Sequence, residues 1–147
     1  MSKNAYQTCN FFHMILGIGI DLVSVERIED LENKFGGQFR EKFLSRIFTK
    51  NEAEFAEKKS ARTIFLATRF AAKEAFAKAL GLGIGRGINF LDLEIENDEL
   101  GKPKIKILNG KSDFVKKHFA VEDFVAHLSL TDEKKFASAM VVIEKKI

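Results

Sequence analysis

The chain has no tryptophan, one tyrosine, one proline and one cysteine in 147 residues. A lone cysteine, Cys9, excludes an internal disulfide framework and a cysteine-rich metal site, and predicts a reducing, cytoplasmic setting. No apolar run reaches the roughly 18 residues that a membrane span needs. The opening MSKNAYQTCNFFH lacks the basic start and long apolar block of a signal peptide, so no membrane partner is expected. A net charge of +3 is too small an excess to argue for nucleic acid. What is present is a folded-domain composition, 46% apolar and 31% charged, with fifteen phenylalanines to build the core.

The length fits one compact domain. Residues 1–13 carry no strand or helix period and read as an N-terminal extension or a misassigned start. Residues 14–147 read as a single domain. ILGIGIDL, from Ile15 to Leu22, alternates strictly, with Leu16, Ile18, Ile20 and Leu22 on one face and Gly17, Gly19 and Asp21 on the other. Glycine weakens a strand unless something approaches it closely, so the bare face predicts room for a ligand. Ser24 can cap a helix striped by Val25, Ile28, Leu31 and Phe35 and stopped at Gly36-Gly37. FREKFLSRIF predicts a second helix, and Thr49 with Glu52 has the spacing of a capping box for a third.

A long helix from about Arg62 to Leu80 ends at Gly81, and GLGIGRG follows it. FLDLEIE and PKIKIL, around the turn NDELGKP, predict a hairpin. KSDFVKKHF predicts a short helix, and VAHLSL with FASAMVVIE a second hairpin. Strands in hairpin pairs argue for an α+β fold with a largely antiparallel sheet, packed with a long central helix and shorter ones.

The long helix is apolar nearly all round, yet it carries Arg69, Lys73, Glu74 and Lys78. Buried charges need a partner, whether another charge, a metal or a ligand. A Glu74–Lys78 pair one turn apart is the bland account, with lysine snorkelling beside it. Neither explains Asp21, a second carboxylate on a glycine-lined face. Two carboxylates on rigid elements suit Mg²⁺, which completes its octahedron with waters and phosphates. The order helix, glycines, strand is the reverse of a dinucleotide fingerprint, and the Walker lysine is missing, so both nucleotide folds are rejected. His127, Ser129 and Thr131 share one strand face, read as a polar border to the ligand and not as a nucleophilic triad. His13 and His118 have no zinc spacing and receive no role. Arg27, Lys34, Arg40, Lys42, Arg46 and Lys50 follow the first strand, either as a solvated face or as a docking surface for an acidic partner.

GIGIDLVSVERIE, FTKNE, RFAAKEAFAKALGLGIG, GKPKI and HLSLTDEKKFASAMVVIE, in that order from Met14 to Glu144, resemble bacterial holo-acyl-carrier-protein synthases. These are 4′-phosphopantetheinyl transferases of the short, trimeric type. The resemblance implies a phosphopantetheinyl transferase-like fold and transfer of the coenzyme A phosphopantetheine arm to a serine of apo-acyl carrier protein. Adenosine 3′,5′-bisphosphate is the other product, and the role is in fatty acid biosynthesis. By motif position it implies Asp21 and Glu74 as Mg²⁺ ligands, Lys78 on the leaving phosphate, and Glu74, directly or through a water, as the base. It implies Arg69, His127, Lys102 and the Gly81, Gly83 and Gly85 backbone for coenzyme A. For the acidic carrier it implies Arg27, extended by Arg40, Lys42 and Arg46. It further implies a homotrimer with active sites at subunit interfaces. Relatives often carry a histidine where this chain has Asp132. Two other readings compete: a non-catalytic adaptor for acidic carrier domains, and a generic Mg²⁺-nucleotide enzyme.

Overall fold

A computed structural model of the chain describes residues 14–34 and 38–146, with the backbone alone at 38–40. The stretch 1–13, the stripe residue Phe35, the expected helix stop at Gly36-Gly37, and the side chain of Arg40 lie outside the described residues. The elements in order are β1 (Ile15–Ser24), α1 (Val25–Lys34), α2 (Gln38–Ile47), α3 (Lys50–Ala56), α4 (Arg62–Ala79), β2 (Leu93–Asn97), β3 (Pro103–Ile107), α5 (Lys111–Phe119), β4 (Phe124–Asp132) and β5 (Phe136–Lys145). A 3₁₀ turn at Phe90–Asp92 precedes β2, so the strand expected over FLDLEIE begins later than its pattern suggests. The Thr49–Glu52 capping box forms as expected. Ser24 is the last residue of β1, directly before α1.

β1, β5 and β4 form one antiparallel sheet in the order β1-β5-β4, and β2 with β3 forms a separate hairpin. α4 lies across one face of the larger sheet and also touches α1, α3 and β2. Six of its residues are alanines, and Ala67, Ala71, Ala72, Ala75 and Ala77 are fully buried. Small side chains let its backbone come close to β1. A Cβ at Gly17 would lie 1.9 Å from the Ala79 carbonyl oxygen, and one at Gly19 would lie 2.0 Å from that of Ala75. The bare face of β1 therefore holds a helix, which corrects the expectation that its glycines leave room for a ligand.

The other face of β1 is the surprise. Ile20 is 63% exposed and Leu22 66%, and Ile18, Val125, Phe136 and Met140 are exposed on the same side. Alternation shows that a strand has two faces but not which one is inward. Here the close helix decides, and the aliphatic row turns to solvent. At the other end of α4, Arg62 pairs with Glu32 and fastens α1 to the start of the long helix.

Candidate active site

The period-2 alternation of β1 puts Asp21 on the side of Gly17 and Gly19, so the glycine contact carries it to the flank of α4. Lys78 Nζ lies 2.7 Å from Asp21 Oδ1. Lys78 thus closes on Asp21 and not on Glu74, which corrects the i,i+4 pair offered by the sequence. Its side chain is 51% exposed and that of Asp21 13%, so the pair sits at the surface and not in the core. Glu74 lies one turn earlier on the same helix. Burial pushes its carboxyl pKa up, the charge of Asp21 pushes it further, and Lys78 and Arg27 oppose the rise. Arg27 reaches over from α1, its guanidinium 5.9 Å from the Phe70 ring centre. The structure therefore gathers Asp21, Glu74, Lys78 and Arg27, from three elements, into one cluster.

The donor set fits a small hard cation. Two carboxylates near enough to repel one another gain from a shared divalent charge, and both present oxygen ligands. Among the described residues no group of three or more His, Cys, Asp or Glu could hold a metal, so a cation held by Asp21 and Glu74 would take its remaining ligands from water or a bound anion.

Arg69 stands apart. It is buried, its guanidinium lies 3.7 Å from the Phe65 ring centre, and Nη2 donates to Asn97 Oδ1 at 2.6 Å. Its Nε is buried without a partner. Burial lowers its pKa to about 10, against the charges of Glu52 and Asp132. The acid at position 132 thus lies near enough for its charge to act on this arginine. Arg69 lines a cavity of about 200 Å³ with Asn51, Phe55, Phe65 and Asn97, whose walls include neither Asp21 nor Glu74.

Lys102 and His127 come together in a groove of about 560 Å³ between β3 and β4. His127 meets Glu144 at 2.9 Å on the outward sheet face, opposite the face of Asp21. The polar row His127, Ser129 and Thr131 thus does not border the Asp21–Glu74 cluster within one chain, a second correction. Asn97 links the two regions, accepting from Arg69 and donating to the Gly101 carbonyl beside Lys102 at 2.8 Å.

Gly81, Gly83 and Gly85 all have positive φ, and a Cβ at any of them would meet nothing within 4 Å, so this backbone is open to a ligand. His118, given no role by its spacing, bonds the Leu80 carbonyl at 2.8 Å just past the end of α4. Lys42 and Arg46 are exposed on α2.

Sequence reasoning missed Asn97, read only as a turn residue. It also missed the partner of Lys73. That lysine is fully buried, so snorkelling does not account for it; Nζ donates to Glu52 Oε2 and to the Ile47 carbonyl, both at 2.7 Å. Burial lowers its pKa, and Glu52 opposes the shift. The FTKNE motif contained the signal, but a contact across 21 residues has no periodicity to reveal it.

Comparison with known proteins bears on the family and the fold. A holo-[acyl-carrier-protein] synthase of Bacillus cereus (strain G9842) is 46% identical over 134 residues, covering 89% of this chain and 97% of the relative. The solved holo-[acyl-carrier-protein] synthase of Neisseria meningitidis superposes with a TM-score of 0.79 at 39% identity, over 90% of this chain and 100% of the other. That of Bacillus anthracis, in complex with CoA (3′,5′-ADP), gives 0.72 at 40% identity, over 90% and 99%. The sequence profile of the 4′-phosphopantetheinyl transferase superfamily matches residues 17–137, from the first close-packed glycine to the start of the last strand, and the chain belongs to that family.

Proposed function

We propose that the protein is a transferase that moves the 4′-phosphopantetheine group of coenzyme A to a serine of apo-acyl carrier protein, leaving adenosine 3′,5′-bisphosphate. The convergence of Asp21, Glu74 and Lys78 carries the reading. Asp21 and Glu74 would hold Mg²⁺, which when bound neutralises charge on the pyrophosphate oxygens. The serine oxygen forms a bond to the phosphorus of the arm as the bridging P–O bond breaks. Glu74, its carboxyl made more basic by burial and by Asp21, would take the serine proton, directly or through a water. Lys78, half in solvent, can swing from Asp21 to the leaving phosphate and offset its charge. Arg27 stands where an acidic carrier could meet the cluster, with Lys42 and Arg46, and by sequence Arg40, extending the basic surface along α2.

Coenzyme A would use Arg69, His127, Lys102 and the backbone at Gly81, Gly83 and Gly85. Arg69 would exchange Asn97 for phosphate. His127 faces away from Asp21, so it can serve the cluster only of another copy. The exposed aliphatic face of β1 beside it supports a homotrimer with shared sites, because contiguous apolar patches are rarely left to water. Ile20→Glu should convert the assembly to monomers and lower turnover by about 100-fold or more, since a charge at a packed interface is strongly unfavourable. Light scattering with a parallel transfer assay checks this; an active monomer would remove the trimer from the reading.

Incubating the protein with coenzyme A, Mg²⁺ and apo-acyl carrier protein should add the mass of the phosphopantetheine arm to the carrier. Chelating the metal should abolish the shift. An adaptor would bind carrier without Mg²⁺ or coenzyme A and change no mass. The reading places the protein in fatty acid biosynthesis, in the cytoplasm. Among the described residues no helix is long and apolar enough to cross a membrane.

A further inference from the structure

We propose that the buried Lys73–Glu52 pair is a positioning device that aims Glu74 at Asp21; the role rests on the transferase reading above. Lys73 and Glu74 are neighbours on α4, so their side chains leave the helix about 100° apart, and fixing one direction fixes the other. Glu74 points to the β1 flank, towards Asp21, while Lys73 points to the flank formed by α2, α3 and β2.

The β1 flank sets distance but holds rotation poorly. Its closest contacts are Gly17 and Gly19 against the helix backbone at Ala79 and Ala75, and the helix residues at those contacts are alanines. A smooth surface of methyl groups offers few knobs to resist turning about the helix axis. The Lys73 flank is directional. Nζ is shared between the Ile47 carbonyl, at the C-terminal end of α2, and Glu52 Oε2. Glu52 is itself fixed at both oxygens, accepting from the Thr49 amide at 2.9 Å and from the Ile95 amide of β2 at 2.8 Å. Rotation of α4 is thereby referenced to three other elements. Stability alone does not explain the pair, since desolvation offsets much of the attraction of a buried ion pair, and apolar replacements often do as well.

The test is the double variant Lys73→Met, Glu52→Gln in the full chain, which removes both charges and strands neither. Two quantities are read: kcat for transfer at saturating Mg²⁺, and affinity for Mn²⁺ in the presence of coenzyme A, by electron paramagnetic resonance. Misaligned groups lose about 10- to 100-fold. The folded double variant should therefore lose at least about 10-fold in kcat, with weaker Mn²⁺ binding and a KM for the carrier within about twofold of the parent. A purely structural pair would leave kcat and Mn²⁺ affinity unchanged in molecules that fold. Parental values for either quantity overturn the proposal, and so does a double variant that fails to fold, which would assign the pair to stability. If the unmodified protein itself transfers nothing, the transferase reading fails, and the Mn²⁺ comparison still decides whether Lys73 orients Glu74.

Discussion

Glu74→Gln should reduce phosphopantetheine transfer by about 10²- to 10⁴-fold, the scale expected when a positioned base is lost, and should also raise the melting temperature of the metal-free protein. The two effects have one cause. The folded pKa of Glu74 lies above that of a free glutamate because its carboxylate is partly buried and faces Asp21. The native state therefore holds its proton to higher pH than the unfolded chain does. Between the ordinary carboxylate value and the raised one the native state binds more protons, so stability falls as pH rises through that window. At neutral pH the ionised group is a standing cost in the absence of metal, and glutamine removes it. Thermal melts from acid to neutral pH, with and without Mg²⁺, check the pattern. The parent should lose stability with rising pH through the window and regain it with Mg²⁺; the variant should respond to neither at this site. Retained transfer in Glu74→Gln would strip Glu74 of both its roles.

Gly19→Ala should be among the most damaging single methyls that can be added to the chain's first strand. The new Cβ would lie 2.0 Å from the Ala75 carbonyl oxygen and 2.5 Å from the Ala79 amide nitrogen, both backbone atoms of α4. Neither can swing aside as a side-chain tip would. The helix would have to retreat, opening a gap under Ala71, Ala75 and Val141, all fully buried or nearly so. A loss of at least about 4 kcal/mol is expected, in the exceptional tail for point substitutions. Gly83→Ala is the control. Its Cβ would meet nothing within 4 Å, and only the positive φ of 99° resists it, at about 1–2 kcal/mol. Urea midpoints and soluble yield separate the two; equal effects would mean that close approach is not what the glycine provides.

The α+β class, the hairpin pairs and α5 were legible because they rest on local period and turn chemistry. Asp21, Glu74 and Lys78 were legible for a different reason: charges in an apolar helix and a carboxylate among glycines have no bland explanation together. The inward face of β1 was not legible, because hydropathy favours burying Ile18, Ile20 and Leu22 and cannot sense that α4 needs the glycine side. The partners of Lys73 and Arg69 were hidden for the same reason. Glu52 and Asn97 lie 21 and 28 residues away in sequence, and their contacts come only from tertiary packing.

β1 has a further consequence. Its odd positions from Gly17 to Val23 meet α4, and its even ones from Ile18 to Leu22 face outward. The two sets interleave residue by residue, so deleting one position between Gly17 and Asp21 would exchange them, turning isoleucines onto the helix backbone and displacing the aspartate. Ile, Leu and Val can replace one another along the outer row with little change. The spacing cannot vary in that way. The outer row of this strand tolerates a change of side chain, and the strand does not tolerate a change of length.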